Sequence, residues 1–466
     1  MLEYAIFAVT FVLALLIAVI YLYPGSSKPT SIPGLEPTTK EDGNLADISR
    51  AGSLHEFLTD LHKKFGDVVS FWMGQKFVVS IASPELFKEH QGVFDRPSEL
   101  FKLFEPMIGP KCIQYANGSD GRSRRTLYDK ALSHDANRNY YQSFQEVANE
   151  LANKWLTLTK EENVPLSMYM SAFSLKAVLI TLFGKNIKDD KKILEFRRKY
   201  DVCWTEMERR LVESPDAKRE KVLEDALSSL KKQIIEVIKD RKKIPPKTGE
   251  ELLIDIILEK SEDEEIHLSD SIAFVVGGFH TTANLLTWAF YFLASHQDIQ
   301  QKLYEEIQSV LGKEDVDHTN IGELVYLRQV QDETLRCGVV APWAARFQDF
   351  DSELGGHKIS KNTPVIHALG VVLQDEKIWP LPNKFDPDRF SPENTKKRPT
   401  LAFSPFGFAG KRICPGYRFS YAEASVCIVT LLKKFKVHMV KGQFVTPVYG
   451  LVTHPEEEIW ITISKR

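Results

Sequence analysis

Most of the chain carries a helical pattern of hydrophobic and polar positions. Between residues 84 and 345 apolar side chains recur every three or four positions, clearly over 222–238 and again from 269 past 293. At about 25 residues, the second of these helices would extend roughly 38 Å, the width of a whole domain. Two β-rich runs over residues 68–82 predict a hairpin instead. The pattern predicts a mainly α fold with small β-sheets, of the α+β class.

The N-terminal residues form a separate apolar block. Residues 5–23 carry no charge, and as a helix they would extend roughly 28 Å, close to the thickness of a bilayer core. Lys28 and Lys40 follow this block and Glu3 precedes it, which favours a lumenal N-terminus and a cytosolic body. A cleaved signal peptide is the alternative. The predicted division of the chain is a transmembrane signal-anchor helix over 1–23, a Pro/Gly linker over 24–40 and a globular domain over 41–466.

Composition narrows the class of protein. Of the 466 residues, 43% are hydrophobic and 26% are charged, and 60 basic against 63 acidic side chains give a net charge of -3. These values are ordinary for a globular protein and leave no basic excess for binding nucleic acid. The five cysteines are scattered without a CxxC pair, which argues against a disulfide framework or a zinc site.

The most distinctive chemistry lies in a Gly-rich loop that contains a cysteine. Residues 403–416 read FSPFGFAGKRICPG and precede an apolar helix. We expect a lowered pKa for Cys414, because backbone N–H groups and the dipole of the following helix favour a thiolate. Gly410 lets the backbone lie against a flat partner, and Arg412 offers donors to a carboxylate. A thiolate beside an arginine fits haem ligation, although a buried cysteine can also be a simple core residue.

This loop resembles the haem-binding loop of the cytochrome P450 superfamily. Gly410, Arg412, Cys414 and Gly416 have the family spacing, and the similarity extends over nearly the whole chain. The resemblance implies the cytochrome P450 fold and a b-type haem whose iron is ligated by the Cys414 thiolate. It makes residues 41–466 a haem-thiolate catalytic domain. The irregular motifs described below are most similar to those of the orphan vertebrate family twenty.

A second set of motifs supports the same resemblance. Glu333 and Arg336 look like the ExxR motif of the family, and Arg389 looks like the arginine of its PERF segment. A glutamate and an arginine three positions apart lie on one helix face and can pair. The resemblance makes these three side chains a structural triad rather than a catalytic one.

The resemblance also implies further cofactor-binding residues. Arg346 stands thirteen residues after Glu333, where the family places an arginine that binds a haem propionate, and Arg412 is assigned the same task. Arg125 matches the arginine of the WxxxR helix motif. However, Gly121 replaces the tryptophan of that motif, and two neighbouring arginines are competing candidates.

The central helix departs from the family pattern of a small residue, glycine, any residue, an acid and threonine. Thr281 is present, but His280 stands in the place of the acid. Since the family uses the acid and the threonine to deliver protons to iron-bound oxygen, we assign Thr281 and His280 as the catalytic pair. Histidine can relay protons, with an ordinary pKa near 6.5, or it can simply hydrogen-bond a backbone carbonyl.

The haem loop also departs from the family. The phenylalanine that the family places seven residues before the cysteine is Gly407 here, with Phe406 and Phe408 on either side. Either ring could cover the thiolate. Phe408 is included among the predicted cofactor-binding residues.

The resemblance implies a monooxygenase that inserts one oxygen atom from O2 into an apolar, lipid- or steroid-like substrate. Electrons would come from an NADPH-dependent flavoprotein reductase, with cytochrome b5 as a candidate second donor. The enzyme would be a single-pass protein of the endoplasmic reticulum with its catalytic domain in the cytosol, and without a nucleic-acid partner. The alternative is a haem-binding sensor or sink with little or no oxygenase activity, because His280 replaces the acid.

Overall fold

The computed structural model describes residues 31–159, 161–184, 189–210, 215–244 and 251–466. Most of these residues are helical, as predicted. The α-helices, in chain order, are α1 Leu45–Ala51, α2 Leu54–Phe65, α3 Pro84–Glu89, α4 Glu105–Ile108, α5 Gly118–Ala131, α6 His134–Arg138, α7 Tyr141–Leu156, α8 Leu166–Phe183, α9 Asp190–Arg209, α10 Ala217–Lys242, α11 Leu253–Lys260, α12 Glu264–Ser295, α13 Gln297–Leu311, α14 Val325–Gly338, α15 Leu369–Leu373, α16 Pro392–Lys396 and α17 Tyr417–Lys434. Short 3-10 helices cover Ser98–Phe104, Ile321–Glu323, Pro387–Phe390 and Gly410–Arg412.

The strands form small sheets at the edges of the helical body. They are β1 Val68–Met73, β2 Lys76–Ile81, β3 Val164–Pro165, β4 Ala344–Arg346, β5 Ser352–Leu354, β6 His357–Ile359, β7 Val365–His367, β8 Phe435–Met439, β9 Pro447–Tyr449, β10 Thr453–Pro455 and β11 Trp460–Lys465. One sheet has the order β1-β2-β7-β4, with β2 and β7 parallel and the other pairs antiparallel. The remaining sheets are β3-β11-β8, β9-β10 and β5-β6. The predicted hairpin is therefore β1-β2, and the α+β prediction is confirmed.

Helix α12 is the central helix of the fold. Its 32 residues extend about 48 Å, and it packs against α8, α14 and α17. The helix begins earlier than predicted, because the Asp263 side chain caps it by accepting the Glu265 N–H at 2.9 Å. Glu264 and Glu265 in the first turn also suit the positive end of the helix dipole.

Helix α8 is the one helix in the described part of the chain that is long and apolar enough to cross a membrane. It has a hydropathy of 1.6 and is 72% buried inside the protein. Since it packs against α7 and α12, its hydropathy is that of a core helix. The signal-anchor predicted over residues 1–23 lies outside the described residues.

The described end of the predicted linker belongs to the folded body. Ile32 is buried, the Pro33 carbonyl accepts the Ser70 N–H at 2.8 Å, and the Leu35 N–H donates to the Ser70 carbonyl at 2.9 Å. A side chain at Gly34 would collide with the backbone of Ser70, so glycine allows this close approach. The folded domain thus begins before residue 41.

A buried ion cluster joins α14 to the chain that leads to the cysteine loop. Arg336 Nε lies 2.7 Å from Glu333 Oε2, and both side chains are fully buried. Arg389 Nε lies 3.3 Å from Glu333 Oε1, which also accepts the Asp386 N–H at 2.8 Å. A buried carboxylate is tolerated when its charge and lone pairs are met in this way. The three residues form the predicted structural triad.

Candidate active site

One large cavity lies between helix α12 and the cysteine loop. Six of the eight residues predicted for the site line this cavity: Arg125, His280, Thr281, Arg346, Arg412 and Cys414. Phe408 and Gly410 are not among its lining residues. We call the side with the cysteine loop the proximal wall and the side formed by α12 the distal wall.

The proximal wall holds Cys414 by backbone hydrogen bonds. The Cys414 N–H donates to the Phe406 carbonyl at 2.9 Å, which closes the loop on itself. Gly407 and Gly410 have φ angles of 76° and 45°, a conformation that side chains disfavour. Helix α17 begins three residues after the cysteine, with Gly416 as its N-cap. The glycines of the motif therefore shape the loop.

The predicted pKa shift of Cys414 is wrong in direction. Burial raises the pKa of the thiol, and this effect exceeds the opposite contributions of the Gly416 N–H, Arg125 and Arg96. Burial therefore disfavours a free thiolate at Cys414. We expect the sulfur to be anionic when a metal ion binds it, because a metal ion deprotonates a coordinating thiol outright.

Four arginines face the cavity near Cys414, and three of them lack an acidic partner. Arg96, Arg346 and Arg412 form no ion pair with any carboxylate in the described ranges. Burial and the neighbouring arginines lower the pKa of Arg412 to about 8 and that of Arg96 to about 10, and they lower the pKa of Arg346 well below its usual value. Guanidinium groups crowded in this way favour an anionic ligand with more than one carboxylate.

The backbone holds these cations in position. Arg412 donates from Nε to the Phe94 carbonyl at 3.3 Å and from Nη1 to the Ile113 carbonyl at 3.1 Å. Arg346 donates from Nη1 to the Ala345 carbonyl at 2.6 Å, whereas its buried Nε has no hydrogen-bond partner. Because a buried donor is usually satisfied, the free Nε indicates a ligand atom beside it.

Arg125 lines the cavity, whereas its two competitors point elsewhere. Its Nη2 donates to the Ile413 carbonyl at 2.8 Å, and its Nε lies 2.9 Å from Asp129. Arg124 instead pairs with the buried Asp270, and Arg122 lies over the ring of Phe94.

The missing tryptophan of the WxxxR motif has a steric reason. A Cβ atom at Gly121 would lie 2.2 Å from the carbonyl oxygen of Ala116, so this backbone leaves no room for a side chain. The segment that occupies the space also accepts a hydrogen bond from Arg412 through the Ala116 carbonyl. The cavity arginine of this helix is therefore kept although its aromatic neighbour is absent.

The distal wall is a stretch of α12 rich in small and polar residues. A Cβ atom at Gly277 would meet no atom within 4 Å. The same is true of Gly407 and Gly416 across the cavity. Backbone is thus exposed to the cavity from both sides, as a flat ligand requires. The Thr281 hydroxyl donates to the Gly277 carbonyl at 2.7 Å and leaves its lone pairs free for the cavity.

His280 is packed among aromatic rings. Its ring centroid lies 4.4 Å from that of Trp204 and 5.5 Å from that of Tyr200, both on α9. Its Nε2 is buried without a hydrogen-bond partner, so the alternative of a histidine that bonds a backbone carbonyl is wrong within the described residues. Burial lowers the pKa of His280 to about 3, with smaller contributions from His454 and Arg197, so the imidazole is neutral near pH 7.

Two predicted residues lie outside the cavity lining. Phe408 stacks on Phe87 and contacts His367, each with ring centroids 4.4 Å apart, and Phe406 lines the cavity instead. Position 406 therefore supplies the aromatic ring beside the cysteine. Gly410 acts through its positive φ angle in the loop, not through contact with the cavity.

Arg96, Gln114 and Trp204 are polar or aromatic lining residues that the sequence did not predict. Arg96 lies between α3 and the following 3-10 helix, and its Nη1 donates to Gln114, which also lines the cavity. Trp204 reaches the cavity from α9. No motif marks these positions, because only the tertiary fold brings them to the site.

The residues fit a haem. The described residues contain no cluster of three or more His, Cys, Asp or Glu side chains that could hold a bare metal ion. A single cysteine beside backbone exposed to the cavity and unpaired arginines matches a macrocycle with an axial sulfur ligand and two carboxylates. The fold and the site together define a haem-thiolate protein.

Comparisons with known proteins agree with this class. The sequence model described as "Cytochrome P450" matches residues 33–462. The chain is 38% identical to "Cytochrome P450 20A1" of Bos taurus and of Homo sapiens, in each case over 100% of both chains. It is 27% identical to "Cytochrome P450 4V2" of Mus musculus, over 86% of this chain and 82% of that one.

A solved structure shows the same fold. The "Crystal structure of cytochrome P450DA heme domain" superposes with a TM-score of 0.82 at 20% identity, and the match covers 93% of this chain and 98% of that one. The chain belongs to the cytochrome P450 family, and its cofactor is a haem with a cysteine thiolate ligand.

Proposed function

We propose that the protein is a membrane-anchored haem-thiolate monooxygenase. It inserts one oxygen atom from O2 into an apolar, lipid- or steroid-like molecule. The observation that carries the proposal is the cavity itself, which has Cys414 and the arginines on one wall and Thr281 and His280 on the other. Its relatives belong to a family of oxidoreductases, which favours an enzyme over a haem sensor or sink.

The protein contributes binding, orientation and proton handling. Bound haem supplies the electron transfer and oxygen chemistry, which a thiolate ligand directs toward O–O cleavage. Cys414 is the residue that would hold the iron, and Arg96, Arg125, Arg346 and Arg412 would hold the propionates. Thr281 would present the lone pairs of its hydroxyl to the distal side of the cavity and accept a hydrogen bond there.

The rest of the cavity suits an apolar substrate. Phe101, Phe104, Ile108 and Trp343 line it together with Leu451. Such rings and branched side chains bind by burying apolar area, which gives little selectivity by hydrogen bonding. We therefore assign a hydrophobic substrate class.

The family and the N-terminal sequence support a proposal for the electron source and the membrane. Electrons would come from an NADPH-dependent flavoprotein reductase, with cytochrome b5 as a candidate second donor. Residues 1–23 would anchor the protein in the endoplasmic reticulum with the catalytic domain in the cytosol.

The test is oxygen incorporation by the reconstituted full chain. A panel of lipids and steroids is first screened for displacement of the water ligand of ferric iron, seen as a spectral shift. Hits are then incubated with reductase, NADPH and 18O2. We expect a product with one 18O atom, whereas NADPH consumption that ends only in peroxide for every hit would overturn the proposal.

A further inference from the structure

Helix α9 presents a stripe of side chains toward His280. Tyr200, Trp204 and Glu208 stand four residues apart, so they lie on one face of the helix. The rings of Tyr200 and Trp204 contact the imidazole of His280, and the same stripe continues to the Glu208 carboxyl. An acidic group on this face of α9 therefore lies one turn beyond the rings that contact His280, the residue that stands where the family acid is missing.

Buried polar atoms mark this face of α9. Tyr200 Oη, Trp204 Nε1, Glu208 Oε1 and His280 Nε2 are all buried, and none makes a hydrogen bond of ordinary geometry within the described residues, although the Trp204 N–H lies close enough to the Glu208 carboxyl to lower its pKa. Natural proteins rarely leave such atoms unsatisfied, and ordered water usually bridges them when protein groups do not. Four of them on one face of α9 and the facing turn of α12 indicate a polar path inside an otherwise apolar core.

The Glu208 carboxyl lies at the outer end of this path. The side chain is half-buried, and its Oε1 lies where a Cβ atom at Gly450 would come within 2.2 Å. Glycine at position 450 thus makes room for the carboxyl. Burial raises the pKa of Glu208, against smaller opposite effects of His454 and Trp204, so that the group keeps a proton more readily than an exposed glutamate.

His280 lies at the inner end and reaches both sides. Its ring lines the cavity, whereas Nε2 is enclosed in the protein. The charged and titratable groups that act on it are His454 from β10 and Arg197 from α9. A neutral imidazole can accept a proton on one nitrogen and release another from the opposite nitrogen.

We propose that Glu208 supplies, from helix α9, the carboxylic acid that helix α12 lacks, and that it passes protons through bridging water and His280 to the cavity. This inference rests on the proposed oxygenase function, because the reduction of oxygen by an oxygenase consumes protons. Glu208 acts here as a positioning and proton-supplying residue, whereas His280 is the group that faces the reacting molecules.

The transfer is balanced in protons and involves no electrons. The Glu208 carboxyl releases a proton to water, and the water protonates His280 Nε2. The opposite nitrogen releases a proton to the cavity. Glu208 then regains its proton from solvent, which its half-buried side chain can reach, and a turn of the imidazole about its Cβ–Cγ bond restores the first arrangement, so that each cycle delivers one proton to the cavity.

The first arm of the test uses Glu208→Gln, which keeps the shape and removes the acid. Glu208→Asp retains an acid, and Glu195→Gln removes a carboxylate from the exposed face of the same helix as the matched control. Each holoprotein, checked for its haem-thiolate spectrum, is reconstituted with reductase, and peroxide release is compared with oxygen consumption. We expect the ratio of water to peroxide formed to fall by about tenfold or more in Glu208→Gln. It should recover partly in Glu208→Asp and stay unchanged in Glu195→Gln.

The second arm uses nuclear magnetic resonance to test whether Glu208 interacts with His280. In 15N-histidine-labelled protein in the diamagnetic ferrous–CO state, the His280 ring signals are identified by their loss in His280→Phe. We expect the signal of His280 Nε2 to shift in Glu208→Gln and not in Glu195→Gln. Gly450→Ala, which displaces the carboxyl, should give the same shift.

The outcomes separate cleanly. Both effects together support the path. A change in peroxide without a shift at His280, or a shift without a change in peroxide, would overturn it, as would no effect in either arm. If the wild type kept its thiolate spectrum yet reduced no oxygen, the oxygenase function itself would fail, and the nuclear magnetic resonance arm would still decide whether Glu208 contacts His280.

Discussion

The two walls of the haem cavity are built in opposite ways. The proximal wall carries Cys414 and Arg412 on one loop, Arg96, Arg125 and Arg346 join it from other segments, and backbone carbonyls hold Arg125, Arg346 and Arg412. The distal wall is assembled from α12 and α9, which are distant in sequence, and it contains buried polar atoms without partners around His280. The proximal wall is cationic and its arginines are held by backbone carbonyls, whereas the distal wall has neutral buried polar atoms behind aromatic rings.

This difference shows how one fold divides its tasks. A wall that holds a charged cofactor needs fixed donors, since misplaced cations lose the directionality of their hydrogen bonds. A wall that delivers protons needs groups that can change partners. The proximal residues should therefore govern cofactor retention and the distal residues should govern the fate of oxygen.

The largest effect on stability is expected at the buried triad of Glu333, Arg336 and Arg389. Glu333→Gln leaves Arg336 and Arg389 without their buried counter-charge, and we expect a loss of about 3–5 kcal/mol in the free energy of unfolding. Chemical unfolding followed by circular dichroism measures it. The control is Glu393→Gln, an exposed residue paired with Lys397, where a change below about 0.5 kcal/mol is expected. Equal effects in the two variants would contradict a structural triad.

A smaller effect is expected for Arg346→Leu, which removes one cation that faces the cavity. Loss of a hydrogen bond to a charged group costs about 1.5–3 kcal/mol, so haem should dissociate about tenfold to a hundredfold faster. Transfer of haem to an excess of apomyoglobin gives the rate. Thr281→Ala on the distal wall should leave that rate unchanged, and faster loss in both variants would remove the distinction between the walls.

The distal wall is tested by His280→Phe, which retains an aromatic ring among Tyr200 and Trp204. We expect haem content and the thiolate spectrum to stay as in the wild type, while the share of oxygen released as peroxide rises several-fold, about as for loss of a general acid that contributes modestly. Oxygen and peroxide electrodes measure the share. An unchanged share would make His280 a packing residue.

The sequence predicts the proximal wall better than the distal one. Cys414 and Arg412 lie within one short motif, and Arg346 follows Glu333 at a recognisable spacing, so local sequence suffices to place them in the cavity. The sequence predicts a lowered pKa for Cys414, whereas the structure raises it. Burial is a tertiary property, and its effect on the pKa exceeds that of the helix N-terminus. Phe406 rather than Phe408 lines the cavity, and the two rings flank Gly407, whose positive φ angle the sequence pattern does not show.

The distal wall depends on packing that no motif encodes. Trp204, Tyr200 and Glu208 lie on a helix whose pattern predicts only an amphipathic surface. Their relation to His280 arises when rings on α9 pack against α12 and when the turn at Gly450 leaves space for a carboxyl. The described end of the linker, with Ile32 buried beside β1, is another case, because proline and glycine composition does not show what the segment packs against.

The most direct measurement of the central claim is the carbon monoxide spectrum of the reduced full-length protein. We expect the red-shifted Soret band typical of a thiolate ligand in the wild type and its complete loss in Cys414→Ala, while Cys427→Ala, a buried cysteine on the following helix, keeps it. A band that survives in Cys414→Ala, or a wild-type spectrum typical of imidazole ligation, would contradict the account.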